Sequence, residues 1–144
     1  MPVSLRETTF DPWAEISAYQ HTVLAQQGKY GATASFVGTL RDANEGDAVL
    51  AMTLEHYPGM TEKFLQKIAT EAAERWAILD SLIIHRYGQL LPNDPIVMVA
   101  VWATHRAAAF EACRYLIDEL KHRAPFWKKE TLPARTRWVE GNTP

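Results

Sequence analysis

Apolar residues recur along this chain with two different periods, and the switches between them divide it into elements. Residues 3–9 alternate weakly between apolar and polar, the period of a short strand. Asp11-Pro12 then places a capping carboxylate before a proline at a first helical position. Trp13, Ile16, Tyr19, Val23 and Leu24 follow at helical spacing as far as Gly28, a suitable C-terminal cap. Residues 31–41 are rich in small, β-branched and aromatic side chains and read as a largely buried strand, whose glycines signal close backbone approach. The polar segment 42–47, with Asn44 and Gly46, predicts a mobile loop. Residues 49–57 return as a strand with Leu50, Met52, Leu54 and His56 on one face.

Beyond Pro58-Gly59, the positions Met60, Phe64, Ile68, Ala72 and Trp76 predict a second amphipathic helix, packed on the sheet with Glu and Lys outward. Residues 81–87 and 96–104 are apolar strands separated by Gly88 and the turn-forming Pro92-Asn93-Asp94-Pro95. A third helix spans about 107–123 with Phe110, Cys113, Leu116, Ile117 and Leu120 as its inward stripe, and residues 137–140 form a last short strand. This order of elements predicts one compact α+β domain over residues 1–144.

Composition narrows the classes. With 47% hydrophobic residues and five Trp, 144 residues suffice for a single substantial core. A lone cysteine, Cys113, rules out an intramolecular disulfide and supplies no thiolate metal site; on an inward helix stripe it reads as inert core. The start of the chain has no apolar signal region and no run reaches membrane-spanning length, so the expected address is the cytoplasm. A net charge of −2 argues against a general nucleic-acid binder. His21, His56, His85 and His122 lack metal-ligand spacing, and His56 and His85 read as hydrogen-bonded structural residues, so neither metal nor cofactor is expected. There is no phosphate-binding glycine loop and no serine nucleophile elbow.

Local charge changes the picture. Six of the fifteen Lys and Arg residues (Lys121, Arg123, Lys128, Lys129, Arg135 and Arg137) fall between positions 121 and 137, with Glu130 the only acid among them. Pro125, Phe126 and Trp127 give that segment a rigid, apolar floor, and the combination suits an anionic ligand. His105-Arg106 lies where a buried strand gives way to a helix, which makes it either a phosphate or carboxylate site or a plain cap with Arg106 paired to an acid. Arg41, closing a strand before a loop, is either a solvated strand end or a bidentate phosphate ligand. Lys121 borders the buried stripe of its helix, either as a partly desolvated amine suited to proton transfer or covalent chemistry, or as a lysine covering apolar surface near a helix C-terminus. If the segment after it is extended, only one of Lys128 and Lys129 points inward.

Several ordered motifs then resemble a known family. Residues 31–41, Leu54-Glu55-His56-Tyr57-Pro58-Gly59-Met60, His85-Arg86-Tyr87-Gly88, His105-Arg106-Ala107-Ala108-Ala109-Phe110 and Leu120-Lys121 through Ala124-Pro125-Phe126-Trp127-Lys128-Lys129-Glu130 resemble the large, catalytic subunit of molybdopterin synthase, the MoaE family. The resemblance implies an α/β-hammerhead fold and a sulfurtransferase of molybdenum cofactor biosynthesis. Its reaction converts cyclic pyranopterin monophosphate (precursor Z) to molybdopterin by installing the dithiolene sulfurs. It further implies a small ubiquitin-like partner that delivers sulfur as a C-terminal thiocarboxylate, and a homodimer of large subunits within a heterotetramer. Carried over by motif, the substrate-binding positions are Thr39, Leu40, Arg41, His105, Arg106, Lys121, Lys128, Lys129 and Glu130, with Lys121 and Lys128 catalytic. Thr39 and Leu40 are expected to act mainly through backbone, and Thr39 departs from relatives that carry a basic residue there. A non-catalytic pterin-binding or ubiquitin-like-protein-binding scaffold is the alternative; two lysines beside the core count against it.

Overall fold

A computed structural model describes residues 1–21 and 28–139. The predicted helical positions Val23 and Leu24 and the strand end at Glu140 lie outside the described residues. The elements run β1 (Val3–Arg6), α1 (Pro12–Tyr19), β2 (Ala32–Thr39), β3 (Ala43–Asn44), β4 (Asp47–Ala48), β5 (Ala51–His56), α2 (Met60–Arg75), β6 (Ile78–Arg86), β7 (Gly88–Leu90), β8 (Pro95–Ala103), α3 (Arg106–Arg123), β9 (Phe126–Thr131) and β10 (Thr136–Val139). One four-stranded sheet has the order β1-β6-β8-β2, a second β10-β9-β5-β7, and β3-β4 is a separate hairpin. Only the β1–β6 pair is parallel, so the α+β class holds with largely antiparallel sheets.

Strand alternation sets the layers. On β8 the odd positions Val97, Val99, Val101 and Ala103 face a core shared with α2 and α3, while Met98, Ala100 and Trp102 face a second cluster containing Phe10 and, at its edge, Ile16 and Tyr19 of α1. The first sheet is thus covered on both faces, which is why β8 is an uninterrupted apolar run and β6 is buried from Ser81 to Arg86. A third cluster, Leu40, Met52, Leu54 and Leu90, lies under the second sheet.

The helices begin as their sequences require, though their buried faces differ from expectation. Asp11 accepts the Trp13 and Ala14 backbone N–H groups at 3.0 and 3.2 Å, and Glu62 accepts that of Gly59 at 2.6 Å. On α2 the buried face is Leu65, Ile68, Ala69 and Ala72, and Met60 is 60% exposed. A stripe read at fixed four-residue steps drifts about 40° per step around a 3.6-residue helix, so its first member leaves the core. Phe110 on α3 is likewise 67% exposed, because the buried set Ala109, Ala112, Cys113, Leu116, Ile117 and Leu120 is centred about a quarter-turn away. Leu50 is also exposed and precedes β5.

The segment 42–47, expected as a mobile loop, instead contains a two-residue turn between β3 and β4, with Glu45 and Gly46 both at positive φ (52° and 82°). That backbone matches the twist of a tight hairpin. Strands β7 and β9 are additional to the expected elements; β7 is an edge of the second sheet and β9 lies between β10 and β5. The close approach read from the glycines is real at Gly31, where a Cβ would meet the Thr104 carbonyl oxygen at 2.5 Å.

Candidate active site

The C-terminal end of α3 and the start of β9 meet over the start of β8, and two adjoining cavities open there. The inner one, about 60 Å³, is lined by His85, Ile96, Leu120, Lys121, Phe126 and Lys128 among others. The outer one, about 90 Å³, is lined by Thr39, Leu40, Arg41, Asn44, Lys121, Lys128 and Glu130 together with apolar walls from Met52, Ile96 and Val139. Lys121 and Lys128 belong to both.

Each lysine is placed by its element. Lys121 sits one residue past Leu120, the last buried position of α3, so its stem runs along the core edge before the amine reaches the cavity. Lys128 is inward because Phe126, Lys128 and Glu130 share one face of β9. Among the described residues neither makes an ion pair. Burial lowers the pKa of Lys121; burial and then the Lys121 charge lower that of Lys128, with Glu130 acting the other way.

The sequence-derived site is partly assembled in one chain. Thr39, Leu40, Arg41, Lys121, Lys128 and Glu130 come together. Leu40 contributes a wall, since its N–H donates to the Asp94 carbonyl (3.0 Å) and its carbonyl accepts from Asn93 (2.8 Å), leaving that N–H no free role. Glu130, 3% exposed, accepts from Arg137 Nε at 2.8 Å and Asn44 Nδ2 at 3.0 Å. Arg137 also donates to Asp47 (2.8 Å) and the Asn44 carbonyl (3.1 Å), so Glu130 and Arg137 fasten the β3–β4 hairpin against the cavity. Lys129 turns to the opposite face, with its Nζ 5.7 Å from the Trp138 ring centre.

The expected single cationic patch therefore divides. Arg123 pairs with Glu119 (2.8 Å) and Glu71 (3.5 Å), Arg137 with Glu130 and Asp47, and Arg135 approaches Asp47 at 3.9 Å, which leaves Lys121 and Lys128 as the cavity's cations beside rim residue Arg41.

His105 and Arg106 are elsewhere. His105 is the N-cap of α3 without a side-chain capping bond, both residues are exposed, and among the described residues neither side chain has a partner. Arg106 and Lys121 lie on one continuous helix, fifteen residues and about 22 Å apart along its axis.

His85 was read only as a structural histidine, yet it lines the inner cavity. Its Nδ1 donates to the Arg86 carbonyl at 2.7 Å and its ring stacks on Phe126 at 3.9 Å. Burial, then the charges of Lys128, Lys121 and His56, push its pKa down to about 4 against the pull of the Arg86 carbonyl. The one available signal was alternation: His85 shares the Ile83 face of β6, which points at α3. His56, expected to be hydrogen-bonded, leaves its buried Nδ1 without a partner among the described residues. Asn44, Met52, Ile96 and Val139 carried no chemical signal in the sequence.

A family model described as MoaE protein matches residues 9–123. A molybdopterin synthase catalytic subunit from Pseudomonas aeruginosa is 50% identical over 141 residues, 98% of this chain and 91% of the relative. The solved molybdopterin biosynthesis MoaE protein of Burkholderia ambifaria is 51% identical with a TM-score of 0.80, covering 98% of this chain and 90% of that one. A Helicobacter pylori structure of a complex of subunits 1 and 2 of molybdopterin-converting factor shares the fold at 20% identity and a TM-score of 0.79, covering 96% and 90%. With these likenesses along most of its length, the chain belongs to the MoaE family of molybdopterin synthase catalytic subunits, sulfurtransferases of molybdenum cofactor biosynthesis.

Proposed function

We propose that this chain, as one catalytic domain over residues 1–144 in the cytoplasm, transfers sulfur from the C-terminal thiocarboxylate of a small ubiquitin-like subunit to cyclic pyranopterin monophosphate. The observation that carries this is the pair of half-buried lysines, Lys121 and Lys128, that form no ion pair among the described residues and stand over a narrow cavity. A thiocarboxylate is a compact anion on an extended tail, and unpaired ammonium groups in a partly desolvated site attract it strongly. Lys121, whose amine gives up its proton more readily than a free lysine, moves a proton at the attacked carbon; Lys128 meets the carbonyl or thiocarboxylate charge.

The two cavities together are smaller than the roughly 300 Å³ at which small-molecule pockets begin, so a pterin phosphate needs a further wall. A second copy of the chain supplies it in our reading: His105 and Arg106 of one protomer join Arg41, Lys121 and Lys128 of its partner, within a heterotetramer that carries one small subunit per site. The exposed Phe110, one turn along α3 from Arg106, favours an α3 N-terminus that is covered in the assembly.

The test is reconstitution with cyclic pyranopterin monophosphate and a thiocarboxylated small subunit, followed by detection of the dithiolene product. Lys121→Ala keeps good helix propensity and is expected to abolish product while partner binding persists. Wild-type turnover by that variant contradicts the assignment.

A further inference from the structure

His85 is a buried ionisable group that the lysine chemistry leaves unused, and its geometry gives it a defined task. A carbonyl only accepts, so the 2.7 Å contact to the Arg86 oxygen puts the ring proton on Nδ1 and leaves Nε2 with a free lone pair. Among the described residues Nε2 has no hydrogen-bond partner. The ring is held flat on Phe126, with planes 15° apart, and Phe126 stands two residues before Lys128 on the same face of β9. His85, Lys121 and Lys128 line the same cavity, whose volume of about 60 Å³ has room for a bridging water.

We propose, building on the sulfur-transfer reading above, that His85 is a positioning residue: its Nε2 accepts a hydrogen bond from a water held by the Lys128 ammonium across the shared cavity, and thereby aims that ammonium at the reacting acyl group. Burial opposes a charge on the ring most, and the groups facing it, Lys128 from β9, Lys121 from α3 and His56 from β5, oppose it further, so against the pull of the Arg86 carbonyl the imidazole stays neutral and keeps its acceptor at neutral pH. Protonation would replace the acceptor with a third positive charge beside two lysines.

Two substitutions separate this task from ring packing. Phe at position 85 retains an aromatic face for Phe126 and has no acceptor, whereas Gln retains an acceptor near the Nε2 position and loses the stack. His85→Phe is expected to lower kcat about tenfold or more with KM little changed, and His85→Gln to stay within about threefold of wild type. A second readout needs no turnover: the lysine side-chain nitrogens are titrated by NMR in the substrate-free protein. Loss of an acceptor that favours the ammonium moves the Lys128 pKa further down in His85→Phe and leaves it near wild type in His85→Gln. The reverse order of activities, or a Lys128 titration identical in all three proteins, overturns the proposal. Should His85→Phe fail to fold, a folded His85→Gln protein that lacks activity, with Lys128 titration displaced, overturns it equally. Absence of product from the wild-type protein, with the titration behaving as expected, instead counts against the sulfur-transfer reading alone.

Discussion

Two adjacent lysines on β9 have opposite surroundings, and that difference should be measurable. Lys128 points into the cavity beside Lys121, while Lys129 lies over the Trp138 ring on the outer face. Lys128→Ala should therefore reduce sulfur transfer by at least about tenfold, and Lys129→Ala should stay within about twofold. Equal losses in steady-state assays would contradict the alternation argument. His85 makes a second residue-scale prediction. Its folded pKa near 4 lies below the ordinary 6.5, so an unfolded chain binds a proton before the folded one does. The stability that follows from keeping this ring neutral is complete above pH 6.5 and is lost as pH falls toward 4. Between pH 7 and pH 4 the wild type should lose about 3 kcal/mol more than His85→Gln in urea unfolding. Parallel curves would mean that the ring titrates normally.

At the scale of elements, the backbone near the α3 N-terminus is packed too closely for any side chain at position 31. Gly31 donates to the Ala103 carbonyl at 3.0 Å, and the Thr104 oxygen lies only 2.5 Å from where a Cβ would stand. Gly31→Ala should destabilise the fold by about 2 kcal/mol and displace the end of β8 where His105 begins, as read by thermal unfolding and amide exchange. An unchanged Tm would show that the two strands separate at little cost. That contact was legible in the sequence because glycine in an apolar strand has few other reasons to be there. The buried strands and all three helices were legible for the same kind of reason, since burial on one or both faces imposes a period. Phe110 and Met60 were misplaced because a hydrophobic side chain does not declare which side of a stripe's edge it occupies. Strand β9 was hidden because its sequence, Phe-Trp-Lys-Lys-Glu-Thr, is half charged; it becomes a strand through pairing with β5 and β10, a long-range cause. Glu130 is the site-level counterpart: the resemblance implied a ligand there, and only the fold brings it Arg137 and Asn44.

At the scale of the whole molecule, one chain holds the two halves of the expected site far apart. Lys121 and Lys128 face a cavity at one end of α3, and Arg106 stands about 22 Å away at the other, on a helix without a break. The proposed sulfur transfer therefore depends on a two-fold assembly with two composite sites, each with its lysines from one protomer and its His105 and Arg106 from the other. The most direct measurement mixes an Arg106→Ala chain with a Lys121→Ala chain, each inactive alone, under conditions in which subunit exchange is verified, and assays sulfur transfer with the thiocarboxylated small subunit. Each mixed dimer should regain one site with all its wild-type residues, so activity should return to about a quarter of the wild-type level, half of the dimers being mixed and each carrying one intact site of two. No recovery despite demonstrated exchange would contradict the composite site and place the whole of the chemistry within a single chain.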